Sequence, residues 1–174
     1  VLAAWPNDEA AGNPMVRGDG VVVEDFEDGA LDGYRQTVFG GGEARSSVVT
    51  REGNAVLHLN QEARGWTRAY LEGMTFKDFT LEVDVKKPAL LKGYAGVAFR
   101  DDMRVFFRQR GMVQLTANRP NRSVGESIGG FPITEFHRLK VVCVGPIVRI
   151  YVNDEVVSID GFECLFGTFF RFRT

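Results

Sequence analysis

The stretch Phe79-Thr80-Leu81-Glu82-Val83-Asp84-Val85 alternates apolar and polar side chains without a break. A period of two is the pattern of a half-buried β-strand, because successive side chains point to opposite faces of a sheet. The four apolar residues therefore share one face, while Thr80, Glu82 and Asp84 share the other. This stretch predicts a strand with a buried side and a solvent-facing side.

The same pattern recurs along the chain on both sides of this strand. Residues 95–99, 105–107 and 139–144 alternate in the same way, and turn residues separate such runs. Gly145-Pro146 predicts a hairpin between residues 139–144 and 147–152, and Asn153-Asp154 suits a type I′ turn. Convincing 3.6-residue periodicity is absent. Many short strands with this spacing predict an all-β fold, an antiparallel sandwich of two sheets.

The length of 174 residues suits one domain, and 44% hydrophobic with 25% charged residues is ordinary for a globular protein. Residues 1–19 lack periodicity and contain several prolines and glycines, so we interpret them as an N-terminal arm or linker. Residues 20–174 then form the predicted β-sandwich domain.

The charge balance and the apolar runs argue against two classes of partner. A net charge of −2 gives no general attraction to nucleic acid. No apolar run approaches the roughly 20 residues needed to span a bilayer. The two cysteines, Cys143 and Cys164, could form one bridge or remain as two buried thiols. We favour buried thiols, because Cys143 alternates with Leu139 and Val141 on an apolar face.

Five segments occur in an order that resembles a known superfamily. They are residues 26–29 (FEDG), 78–85 (DFTLEVDV), 96–100 (GVAFR), 136–141 (FHRLKV) and 147–154 (IVRIYVND). Together they are similar to concanavalin A-like lectin/glucanase domains, which include laminin-G-like modules, family 16 glycoside hydrolases and 3-keto-disaccharide hydrolases. The resemblance covers about residues 20–174.

This resemblance implies a jelly-roll topology and a protein that is secreted, extracellular, periplasmic or on the cell surface. Such domains usually carry one more strand after a segment like residues 167–174. Either the chain is truncated, or the closing strand comes from elsewhere. We therefore expect an open sheet edge, through which the chain could assemble with a neighbour that donates a strand.

Glu82 and Asp84 are the catalytic candidates, although weak ones. In family 16 glycosidases, a strand carries Glu, Asp and Glu on its cleft side, and Glu82 and Asp84 match the first two. The third position here is Lys86, which cannot replace the carboxylic acid that retaining hydrolysis requires. We favour the simpler interpretation, a solvated strand face with alternating charge.

Calcium is the cofactor to consider, as a structural ion. Asp25, Glu27 and Asp28 lie near the first predicted strand, and Asp160 lies near the end of the chain. Carboxylates are ligands that calcium prefers, and the related jelly rolls often hold such an ion. The alternative is that these residues are acids in turns.

A carbohydrate-binding face is the third prediction. The candidate residues are Glu82, Asp84, Arg100, Arg108, Tyr151, Trp66 and Arg171. Aromatic rings can stack on sugar C–H faces, and planar polar side chains can bind hydroxyls. We expect the arginines to share the polar side with Glu82 and Asp84, which favours an acidic glycan. The alternative is a surface with arginines among acids.

These observations lead to three functional hypotheses. The first is a non-catalytic module that binds an extracellular glycan or protein. The second is a glycoside hydrolase on the same scaffold. The third is a structural subunit completed by a neighbouring strand. We favour the first, because the second catalytic carboxylate is missing.

Overall fold

The computed structural model describes residues 15–16, 22–23, 26–39, 44–61, 66–71, 78–86, 94–99, 103–108, 111–118, 121–126, 130–132, 134–145 and 147–157. All fourteen elements assigned in this part of the chain are β-strands, and every pairing between them is antiparallel. The all-β prediction is therefore confirmed. No helix among these residues is long and apolar enough to cross a bilayer.

The chain forms two compact units, unit 1 (Val1–Thr75) and unit 2 (Phe76–Thr174). Unit 1 contains three antiparallel strand pairs. They are β1 (Met15–Val16) with β2 (Val22–Val23), β3 (Tyr34–Phe39) with β6 (Trp66–Leu71), and β4 (Ala44–Arg51) with β5 (Asn54–Gln61). The first of these strands lies within the predicted N-terminal arm. Its residues pair with the start of the predicted domain.

Unit 2 contains two four-stranded sheets. Sheet I has the order β14-β13-β12-β7, and sheet II has the order β11-β10-β9-β8. The strands of sheet I are β7 (Phe79–Val85), β12 (His137–Val144), β13 (Ile147–Val152) and β14 (Glu155–Val156). Those of sheet II are β8 (Ala95–Phe99), β9 (Met103–Phe107), β10 (Val113–Asn118) and β11 (Asn121–Glu126).

The core of unit 2 lies between the apolar faces of these sheets. Sheet I contributes alternate residues, of which Leu81, Leu139, Val141, Cys143, Val148, Ile150 and Val152 are buried. Sheet II contributes buried Met103, Val105, Phe107, Val113 and Leu115. Ring contacts join the two faces, with centroids 6.0 Å apart for Phe79 and Phe99 and 5.7 Å apart for Phe107 and His137. Each fully buried Val or Leu side chain contributes about 1.5–3 kcal/mol to folding, so this alternation stabilises the unit.

Cys143 lies in this core and is fully buried, as the alternation predicted. Its predicted neighbours on the apolar face, Leu139 and Val141, are buried beside it. Cys164 lies outside the described residues, so whether the two thiols pair stays a prediction. The terminal segment, residues 158–174, also lies outside the described residues.

A candidate binding face on sheet I

The outer face of sheet I carries cross-strand pairs of opposite charge. In the register between β7 and β12, Glu82 lies directly opposite Lys140, and Asp84 lies opposite Arg138. Tyr151 of β13 is the partner of Lys140 on the other side. Because directly opposite residues share a face of the sheet, these five side chains form one surface, which we call the charged face.

The Glu82–Lys140 pair is the tighter of the two ion pairs. Glu82 Oε1 lies 2.6 Å from Lys140 Nζ, and the two side chains are 33% and 31% exposed. The hydrogen bond that Lys140 donates lowers the pKa of Glu82, which partial burial opposes, and the Lys140 and Arg138 charges lower it further. The same hydrogen bond raises the pKa of Lys140, as do the charges of Glu82 and Asp154. Glu82 is therefore held as a carboxylate, which is the wrong state for a general acid.

The Asp84–Arg138 pair is looser. Arg138 Nε lies 3.5 Å from Asp84 Oδ1, and the side chains are 54% and 56% exposed. Exposed pairs of this kind contribute little to stability, because solvent screens the charges. Both groups therefore remain accessible to a ligand.

An open pocket of about 310 Å³ lies at the end of the charged face that carries Asp84 and Arg138. It is lined by Asp84, Phe136, Arg138, Asn153 and Asp154. Phe136 immediately precedes β12 and has the same parity as Arg138, which places it on the outer side. Its ring is exposed, and Lys86 Nζ lies 5.0 Å from the ring centroid. The pocket thus combines an aromatic ring, two carboxylates and a guanidinium.

The turn that forms one wall of the pocket is held by Asn153. Its Oδ1 accepts a hydrogen bond from the backbone N–H of Arg138 at 3.0 Å, and its Nδ2 donates to Nδ1 of His137 at 3.0 Å. His137 Nε2 in turn donates to the carbonyl of Pro132 at 2.8 Å, which requires the proton on Nε2. Since both ends of its amide are engaged, Asn153 positions the pocket wall.

The same turn contains Asp154, which also lines the pocket. Asn153 and Asp154 have φ values of 51° and 67°, and Val152 pairs with Glu155 across them. Two positive φ values in a two-residue loop are the geometry of a type I′ turn. The predicted turn is therefore confirmed.

The structure brings together three of the seven residues predicted to bind carbohydrate. Glu82, Asp84 and Tyr151 all belong to the charged face. Arg108 does not, because it follows β9 on the outward side of sheet II, where its guanidinium lies 5.7 Å from the Tyr94 ring centroid. The apolar faces of the two sheets meet in the core, so their outer faces point in opposite directions. Arg108 therefore cannot share a ligand with Glu82 at this face.

The other three predicted residues lie where the structure describes no side chain. Arg100 and Arg171 are outside the described residues. Trp66 begins β6, but only its backbone is described. Their part in binding stays a prediction.

Two of the four predicted calcium ligands are described, and both accept backbone hydrogen bonds in unit 1. Asp28 Oδ1 accepts from Ala30 N–H at 2.9 Å, and Glu27 Oε1 accepts from Ala55 N–H at 3.4 Å. Asp25 and Asp160 are outside the described residues. Within the part of the chain that the structure describes, no three His, Cys, Asp or Glu side chains cluster as a metal site would require. The calcium site stays a prediction.

Phe136, Arg138, Asn153 and Asp154 were not predicted as site residues. Parity was the available signal, because Phe136 and Arg138 alternate with His137 and the apolar positions 139 and 141. The position of Arg138 opposite Asp84 depends on the pairing of β12 with β7, which alternation alone does not give. No protein-family model, curated protein or solved structure matches this chain.

Proposed function

We propose that the chain is a non-catalytic module of the lectin-like, concanavalin A-like jelly-roll type that acts outside the cytoplasm. In this proposal, the charged face of sheet I and its pocket bind a glycan or mediate adhesion through one. The observation that carries it is the pocket itself, where Phe136 lies next to Asp84, Arg138 and Asp154. Sugar sites need this combination, since C–H faces pack on rings while hydroxyls require both donors and acceptors.

The ion pairs that Glu82 and Asp84 form with basic side chains favour binding over hydrolysis. Retaining hydrolysis needs one ionised and one protonated carboxyl group. Glu82 is held ionised by Lys140, and Asp84 lies beside Arg138. Glu82 therefore lacks the apolar surroundings that keep a general acid protonated near neutral pH.

A glycan array followed by calorimetry on the full chain tests this function. We expect binding that falls at least about tenfold, or about 1.4 kcal/mol, in Phe136→Ala and in Asp154→Gly. The second variant creates an Asn-Gly pair, the preferred sequence for a type I′ turn. Its fold should therefore be at least as stable as the parent, and lost binding cannot be attributed to unfolding.

Glu155→Gln is the matched control, because Glu155 is an exposed neighbouring carboxylate that does not line the pocket. We expect it to bind as the parent does. The absence of any glycan ligand would overturn the proposal. Turnover of laminarin that Glu82→Gln abolishes would replace it with the glycoside hydrolase hypothesis.

A further inference from the structure

The charges that line the pocket specify the class of glycan. Among the described residues that form its wall, Asp84 and Asp154 carry negative charge and Arg138 is the only cation. Arg138 already directs its Nε toward Asp84 at 3.5 Å. Lys86, whose Nζ lies 5.0 Å from the centroid of the Phe136 ring, adds a second cation beside the pocket. The two carboxylates are therefore balanced by two cations, so the site has no excess positive charge to attract an anion.

We infer that the ligand of this pocket is a neutral glycan, bound through hydroxyl groups, and not a sulfated or uronic acid polymer. This inference rests on the proposed function and differs from the acidic glycan expected from the arginines. That expectation assumed that Arg108 and its neighbours in sequence face the ligand together with Asp84. Arg108 instead lies on the outward side of sheet II.

An anionic ligand would meet an unfavourable environment here. A sulfate or carboxylate that approached Arg138 would also approach Asp84, its present partner, and would face Asp154 across the pocket. It would have to displace Asp84 from Arg138 while losing its own hydration, and like charges in proximity oppose both steps.

A neutral sugar meets complementary groups instead. Its hydroxyl hydrogens can be donated to the carboxylate oxygens of Asp84 and Asp154, and its oxygens can accept from the terminal N–H groups of Arg138. Phe136 is 37% exposed, and the part of its ring that Lys86 does not cover offers apolar surface for the C–H side of a sugar ring. The pocket volume of about 310 Å³ is at the small end of the range for ligand sites, roughly 300–1,000 Å³, so recognition should centre on a short part of the glycan.

Calorimetry on the full chain with matched backbones tests the inference. The probes are dextran and dextran sulfate, laminarin and sulfated laminarin, and methyl-esterified pectin and polygalacturonate. We expect at least one neutral or esterified member to bind about tenfold or more tighter than its charged counterpart. Its affinity should change little between about 0.01 and 1 M salt, a range over which the screening length falls from about 30 to 3 Å.

The variant Asp154→Asn tests the contribution of one pocket residue to this preference. It keeps a side chain that tolerates positive φ and retains a hydrogen-bonding oxygen, but it removes one negative charge. We expect it to narrow the preference for the neutral backbone over its charged counterpart by about tenfold, with Glu155→Gln leaving the preference unchanged. Tighter binding of the charged members would overturn the inference and leave the proposed function intact. Failure of every member to bind would overturn the inference for these backbones, whereas the proposed function is overturned only if the glycan array also yields no ligand.

Discussion

At the scale of single residues, the Glu82–Lys140 ion pair makes stability depend on pH. The pKa of Glu82 is lowered from its usual value of 4.5 in the folded state, chiefly by the hydrogen bond from Lys140. A lowered carboxyl pKa gives stability that is present above the unfolded value and is lost as the pH falls through the folded value. The raised pKa of Lys140 acts in the other direction. Its contribution is present below the usual value of 10.5 and is lost as the pH rises through the folded value.

The variant Glu82→Gln should therefore lower the melting temperature at neutral pH by a few degrees at most, since both side chains are partly exposed. The difference from the parent should shrink as the pH falls below 4.5 and through the lowered pKa of Glu82, because the parent side chain then becomes neutral like Gln. Thermal unfolding followed by circular dichroism over a pH series measures it, with Glu155→Gln as the control. A difference that persists unchanged into strong acid would mean that the pair acts through packing and not through charge.

Gly96 is a second residue whose substitution should change stability, because a Cβ atom there has no room. It lies directly opposite Phe106 in the pairing of β8 with β9. A Cβ on Gly96 would collide with the backbone oxygen of Val105 and lie 2.5 Å from the Cα of Phe106. Phe106 is itself buried, with its ring centroid 4.7 Å from that of Tyr94. The absence of a side chain at this position allows the two strands to approach closely.

We expect Gly96→Ala to lower the free energy of unfolding by about 1–3 kcal/mol, the usual cost of overpacking. The matched variant Gly130→Ala has no heavy atom within 4 Å of the new carbon and should change it by less than about 0.5 kcal/mol. Urea unfolding of both variants measures the contrast. Equal stability of the two would mean that β8 and β9 can separate without cost.

At the scale of elements, the turn between β13 and β14 combines backbone geometry with side-chain hydrogen bonds. Asn153 has a φ of 51° and bonds both Arg138 and His137. Asn153→Gly keeps the conformation but loses two hydrogen bonds, at about 0.5–1.5 kcal/mol each. Asn153→Ala loses the same bonds and adds about 1–2 kcal/mol for a left-handed residue with a Cβ.

Urea titrations of the two variants therefore separate the contribution of the hydrogen bonds from the cost of the left-handed backbone conformation. We expect Asn153→Ala to be less stable than Asn153→Gly by the cost of the left-handed conformation. Both variants should be less stable than the parent. Equal loss in both variants would show that the turn relaxes out of positive φ. No loss in either would show that the hydrogen bonds to Arg138 and His137 contribute nothing net.

Individual strands and one hairpin were predictable from the sequence, whereas pairings between strands that are distant in the sequence were not. The predicted strand at residues 79–85 matches β7, and the predicted hairpin matches β12 and β13. Alternation gives the face of each residue because a slip by one position would bury charge. It does not give the partner strand. Parity therefore identified Glu82 and Asp84 as outward-facing, but it could not place Arg138 beside Asp84 or Arg108 on the opposite side.

At the scale of the whole molecule, the fold class followed from the pattern, but the division into compact units did not. One domain over residues 20–174 was predicted and stays a prediction, and the described strands fall into unit 1 and unit 2. Length and composition constrain the size of a core, but they carry no information on which hairpins join which sheet. The two sheets of unit 2 depend on pairings such as that of β7 with β12, whose strands are about fifty residues apart in the sequence.

Binding to the charged face should also be visible as a change in the stability of the whole protein. A ligand that binds only the folded state at one hundred times its Kd stabilises that state by about 2.7 kcal/mol. For a chain of this length that unfolds in one transition, such a change raises the melting temperature by roughly 5–11 °C. We expect this shift with the neutral glycan that binds the parent most tightly, and a much smaller one in Asp154→Asn. Glu155→Gln should shift as the parent does. An equal shift in Asp154→Asn would place the bound glycan away from this pocket, because a ligand that contacts Asp154 must lose affinity when that carboxylate is removed.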